Sequence, residues 1–293
     1  MENQRNLSDW SQEFSWHNYN ESQCKEKILF VELLRELCDL IEQQPHSKGR
    51  KPVDYADMVY ALALKTYLTF SSRRVHSDLK LSVKAGNLNK EFHFNTLLKY
   101  LEDRDLRHIL IKLIEISALP LKQIELDFAI DATGFGTSRY ETWNKHRLAY
   151  QRSRLFRKAH CVYGVKTNII TSIEVTKGYI NDTLQFKPLI KRTADNWTIR
   201  EVSADKGYIS KVNLKLVSDI GGVPYIPFKK NASPKNRGCG SNIWKTMFLY
   251  FHTHQEEFMQ HYHKRSNAES GFSMIKRRFG NNIRCKKETS QDN

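Results

Sequence analysis

The chain has 293 residues, 40% hydrophobic and 27% charged, with only 13 Gly and 7 Pro; this excludes collagen-like, low-complexity and wholly disordered chains and leaves room for one large domain or two modest ones. No apolar run reaches the roughly 18 residues that span a bilayer, and the opening MENQRNLSDW lacks the layout of a secretory signal, so a soluble, cytoplasmic protein away from membranes is expected. The net charge of +15 is unevenly spread: residues 1–120 hold 17 basic and 17 acidic side chains and residues 121–293 hold 30 and 15, a field suited to nucleic acid.

Residues 1–24 are polar and read as an arm. In KEKILFVELLRELCDLIEQQ (25–44), Ile28, Phe30, Leu33, Leu34, Leu37, Leu40 and Ile41 recur at three and four, as an amphipathic helix requires. The Pro- and Gly-containing PHSKGRKP (45–52) breaks it. A second helix is predicted over 53–70, with Asp54 and Asp57 in its first turn, and a short one over 71–82. A further helix over 95–117 is closed by Pro120. Residues 25–120 thus form a helical region and a candidate for DNA-end binding, since two helices about a short turn also suit a helix-turn-helix.

Beyond residue 120 the pattern changes. Strands are predicted over 124–131, over 160–180 as a pair around Lys166–Asn168, over 198–205 and over 223–229, with a helix over 210–222. This is a mixed α/β sheet flanked by helices. The five cysteines are scattered and odd in number, without a C-x2-C pair, which argues for reduced thiols; the H-x-H pairs at 252/254 and 261/263 lack the other ligands of a metal site.

Three carboxylates stand out. Asp131 closes the apolar strand LDFAID and Asp205 closes REVSAD, each followed by a Gly-containing turn, where strands hand over to loops and ligands bind. The third, Glu269, lies in FMQHYHKRSNAESGFSMIKRRFG. On one continuous helix Tyr262, Arg265, Glu269 and Lys276 would share a stripe about 60° wide. Ala268, Phe272, Ile275 and Phe279 would lie on the adjoining, anchoring face. An ordinary amphipathic helix with an Arg265–Glu269 salt bridge fits the same spacing.

The string Y-x2-R-x3-E-x6-K from Tyr262 to Lys276 resembles the YREK signature of DDE transposases from bacterial and archaeal insertion sequences. DFAIDATGF and SADKGYIS are similar to that family's two aspartate blocks, 158–190 to its paired strands and Asn-Asp turn, and 49–80 to its N-terminal helices. The resemblance implies an RNase H-like catalytic core over 121–287 and metal-dependent cleavage and joining of DNA at terminal inverted repeats. It implies Asp131, Asp205 and Glu269 as catalytic residues holding two Mg²⁺ ions, which Mn²⁺ can replace; hard carboxylate oxygens suit such ions. Tyr262, Arg265 and Lys276 would hold phosphates of the transposon end.

The partner expected is double-stranded DNA, both element ends and target, bound by a homodimer. Two basic stretches are expected to line its path. RYETWNKHRLAYQRSRLFRK (139–158) carries Arg152, Arg154 and Arg157, and the acid-free run between Asp219 and Glu256 carries Lys229 and Lys230. Two departures from the family stand out. Only 64 positions separate Asp205 from Glu269, too few for a large insertion domain, and only 17 residues follow Lys276. Residues 288–293 accordingly read as a polar tail and a C-terminal truncation. This leaves two alternatives open: a catalytically impaired, DNA-binding copy, or a nuclease without joining activity.

Overall fold

The computed structural model describes residues 15–43, 49, 52–137, 156–234 and 241–293. They divide into two compact units, one reaching Leu113 and including Asn293, the other Ile114–Asp292.

The first unit is helical. Helix α1 (Trp16–Asp39) starts behind Ser15, whose hydroxyl accepts from Asn18 N–H, so residues 16–24 are helix where an arm was expected. Leu34 and Cys38 face the core, while Ile28, Leu33 and Leu40 are exposed. Helix α2 (Tyr55–Tyr67) is capped by the Asp54 carboxylate on Ala56 N–H. It is buried almost all round, Ala56 through Leu62 being inaccessible, as suits the central helix of a small bundle. Helix α3 spans His76–Lys84. The stretch read as a single helix over 95–117 is two, α4 (Phe94–Tyr100) and α5 (Asp105–Ala118). Asp103 divides them, its carboxylate accepting from Asp105 N–H at the new start.

The second unit holds a five-stranded sheet, β1 (Asp127–Gly136), β2 (Phe156–Gly164), β3 (Ile170–Lys177), β4 (Glu201–Ala204) and β5 (Val223–Tyr225), in the order β3-β2-β1-β4-β5. β1, β2 and β3 pair antiparallel, and β4 and β5 join β1 in parallel. The mixed sheet preceded by helices is the architecture expected from the sequence. β5 ends at Tyr225, short of its apolar run, and Pro227 just beyond has no N–H to donate to a ladder.

β1 alternates strictly. Phe128 and Ile130 enter the main core with Phe186, Leu189 and Ile190 of helix α6 (Asp182–Asn196) and Leu214 and Val217 of helix α7 (Lys211–Asp219). Trp244 and Met247 of α8 (Ser241–Thr253) and Phe258 of α9 (Gln255–His263) complete it. Ala129 points the other way, toward Ala159, Cys161, Tyr163 and, from helix α10 (Ser266–Phe279), Ala268 and Phe272. Asp131 follows Ala129 on the α10 side of the sheet.

Residues 288–292, expected as a tail, form a short helix α11 (Glu288–Asp292). Its Asp292 lies 2.7 Å from Arg157 Nε and its Glu288 3.1 Å from Lys177 Nζ, on β2 and β3. Before it, Gly136 N–H donates to Asn281 O and Ile283 N–H to Gly136 O, so the chain after α10 closes on the free end of β1.

Candidate active site

β1 does not stop at Asp131. It continues through Ala132–Gly136, paired with β2 as far as Phe156, because Thr133, Gly134 and Phe135 all have partners in the ladder. What ends at Asp131 is burial: residues 128–130 are inaccessible and residues 131–136 are partly open. The parallel neighbour β4 ends at Ala204, opposite Ile130. The next residue on each strand is an aspartate, so Asp131 and Asp205 stand side by side at the point where the ladder opens. Asp205 has extended backbone, and its carboxylate accepts from Lys206 N–H at 2.8 Å, capping a 3-10 turn over Lys206–Tyr208.

Glu269 arrives from the opposite layer. Gly271 brings α10 close to the sheet: a Cβ on it would sit 2.5 Å from the Tyr163 ring. Arg265 joins the two elements, with Nη1 2.9 Å from Asp131 Oδ2 and Nη2 on Glu269 Oε1. A second cation at the same bend, Lys264, reaches Asp127 at 2.8 Å and Glu201 at 2.7 Å, the first residues of β1 and β4. Arg200 grips Asp127 with two hydrogen bonds, and although burial works against it, Arg200 and Lys264 together hold that carboxyl below its ordinary value.

Asp131 shows the opposite balance. Burial pushes its carboxyl above the ordinary value, and the charges of Glu269 and Asp205 push the same way; Ala132 N–H and Arg265 oppose them. Asp131 therefore feels the charge of both other acids. Among the described residues, no three His, Cys, Asp or Glu side chains are gathered at metal-holding distance. Arg265 supplies the positive charge between Asp131 and Glu269. The donor set nevertheless fits a hard divalent cation: two adjacent carboxylates in register and a third tied to one of them.

The stripe expected on one helix is divided. Tyr262 belongs to α9 and Glu269 and Lys276 to α10, with Lys264 and Arg265 in the bend. Across it Lys264, Arg265, Asn267 and Ala268 donate to the residues three before them. This i→i+3 bonding turns the chain faster than an α-helix, so uniform 3.6-residue phasing fails here. Tyr262 packs against the main core, 5.8 Å from the Arg265 guanidinium, and Lys276 Nζ lies 5.4 Å from the Phe135 ring.

Among the expected DNA-path residues, Lys229 and Lys230 are exposed just after β5. Arg157 is not a surface cation: it is 6% exposed and engaged by Asp292, because α11 covers it. Arg152 and Arg154 lie outside the described residues. Sequence reasoning passed over Lys264 and Gly271. A glycine inside a helical pattern marks close backbone approach, whereas the partners of Lys264, 137 and 63 positions away, leave no local signal.

Residues 122–292 match the Transposase DDE domain family. Over 264 residues the chain is 24% identical to a protein of Archaeoglobus fulgidus described as a probable transposase for insertion sequence element ISA1214, a match covering 89% of this chain and 77% of that protein. Among the described residues no helix is long and apolar enough to cross a membrane. The domain implies phosphoryl transfer on DNA, in a family that typically uses divalent metals: the chain belongs to the DDE transposases.

Proposed function

We propose that the protein cleaves DNA at the terminal inverted repeats of an insertion sequence and joins the freed 3′ ends to target DNA, with Asp131, Asp205 and Glu269 as its catalytic acids. The observation that carries this reading is the register of β1 and β4, which sets two aspartates side by side at the mouth of the sheet, with Glu269 linked to the first through Arg265.

Asp131, Asp205 and Glu269 would hold the divalent ions, which, when bound, would neutralise charge developing on the oxygens of the phosphodiester. The chain's own residues do the rest. Arg265 bridges the Asp131 and Glu269 carboxylates, and Gly271 lets α10 lie close enough to the sheet for that bridge. Lys276 stands over Phe135, about 13 Å along β1 from Asp131, and with Tyr262, Lys229 and Lys230 contributes phosphate contacts. Such contacts fix the register of a duplex without reading its sequence.

The test is incubation with pre-nicked terminal-repeat DNA and Mg²⁺ or Mn²⁺. Wild type is expected to yield strand-joined product, and Asp131→Asn and Glu269→Gln to lose it by at least about a thousandfold while still binding DNA. Binding without any metal-dependent product would overturn the catalytic reading; cleavage without joining would reduce it to a nuclease.

A further inference from the structure

The ladder between β1 and β4 ends one residue short of the aspartates, at Ile130 and Ala204. Strand pairing sets Asp205 next to Asp131 through Ala204, but the ladder does not extend to Asp205 or to the turn after it, which other contacts anchor. The turn after Asp205 is gripped at two consecutive carbonyls. Thr183 Oγ1 donates to Gly207 O at 2.7 Å and Asn213 Nδ2 to Tyr208 O at 2.8 Å. Asn213 is a buried residue of α7, whereas Thr183 is half-exposed in the first turn of α6.

That first turn is itself tied to the sheet. Asn181 caps it through Thr183 N–H, and Lys158 Nζ donates to Ile180 O at 3.1 Å and to Asp182 Oδ1 at 2.7 Å. Lys158 sits on β2 opposite Gly134 of β1. A path thus runs from Asp131 along β1, across to Lys158, through Asp182 and Thr183, and back through Gly207 to Asp205. Its main-chain segments are joined by one strand pair and two side-chain hydrogen bonds, and it spans the gap that the ladder leaves open.

We propose that Thr183, held by the Lys158–Asp182 pair, is a positioning residue that fixes Asp205 beside Asp131 for joint cation binding. The inference rests on the reading of Asp131 and Asp205 given above. Partners behind ligating groups commonly govern metal affinity by about 10–100-fold, because a ligand free to swing must be ordered at each binding event.

The test is a calorimetric Mn²⁺ titration of the full chain, with strand transfer on pre-nicked DNA and Tm measured alongside. Thr183→Val keeps the shape of the side chain and removes its donor. It is expected to weaken Mn²⁺ binding about tenfold and to lower kcat at matched Mn²⁺, with KM for DNA and Tm unchanged. Thr183→Ser, which restores the hydroxyl, is expected to recover both. Lys158→Met, acting from the far side of α6, should weaken Mn²⁺ binding in the same direction. It keeps the test decisive should the valine variant prove unstable.

Wild-type Mn²⁺ affinity in Thr183→Val or in a folded Lys158→Met, alongside a clear loss in Asp205→Asn, would overturn the positioning role and leave the catalytic reading standing. No Mn²⁺ binding by wild type, with Asp205→Asn indistinguishable from it, would overturn both.

Discussion

His160 on β2 has no exposed surface; its Nε2 lies 2.8 Å from Thr176 Oγ1 and its Nδ1 3.6 Å from Asp182 Oδ1. Burial draws its pKa down from 6.5 to about 4, Lys158 adds to the effect, and Asp182 opposes it. The unfolded chain therefore takes up a proton near pH 6.5 that the folded chain refuses until about pH 4, so stability present above that window is lost as pH falls through it. His160→Gln is expected to flatten the fall of Tm between pH 6.5 and 4 relative to wild type. Parallel profiles for the two proteins would show that the imidazole is not held neutral. Asp131 contributes with the opposite sign: its raised pKa makes the ionised form a cost to the fold, one that grows as pH rises through its folded-state value. The two residues differed in how far the sequence exposed them. Asp131 is visible because it closes a run of apolar residues, whereas His160 lies inside β2 and its neighbours Thr176 and Asp182 come from β3 and the start of α6, with no local signal to pair them.

Helix α10 illustrates where periodicity stops being informative. Of the four residues expected to anchor it, Ala268 and Phe272 are buried, Ile275 is partly buried and Phe279 is exposed. Its break from α9 is not legible: the i→i+3 bonds run across Lys264–Ala268, and the partners of Lys264 lie on distant strands. Likewise ATGFG reads locally as a turn, yet β2 supplies it with partners and it stays extended. The closeness of α10 to the sheet depends on Gly271. Gly271→Ala would put a methyl 2.5 Å from the Tyr163 ring, a contact that ring cannot avoid by a simple swing. Overpacking of this kind costs about 1–3 kcal/mol, or a Tm drop of about 3–10 °C. By moving Glu269 away from Asp131 it should also lower strand transfer while leaving DNA affinity intact. Ser273→Ala, on the exposed side of the same helix, should change neither. Equal Tm values for Gly271→Ala and wild type would show that the helix is not seated by this contact.

In the molecule as a whole, the charge asymmetry, the helical beginning and the mixed sheet could all be read from composition and pattern. The position of Asp205 followed from its place after a strand. What holds it did not, since Thr183 and Gly207 lie 24 positions apart with nothing local to pair them. The end of the chain differs from its local pattern for a related reason. ETSQD is polar and looks free, but Asp292 neutralises Arg157, a cation that the sequence suggested should face DNA. In the proposed reaction, acids from three separate segments, β1, the turn after β4 and α10, serve one shared divalent-cation site. Crystals grown with Mn²⁺ test it most directly, through the anomalous signal of the metal. A peak is expected within bonding distance of both Asp131 and Asp205, absent in Asp131→Asn. A well-ordered sheet with Mn²⁺ bound elsewhere, or with no peak between those two carboxylates, would contradict it.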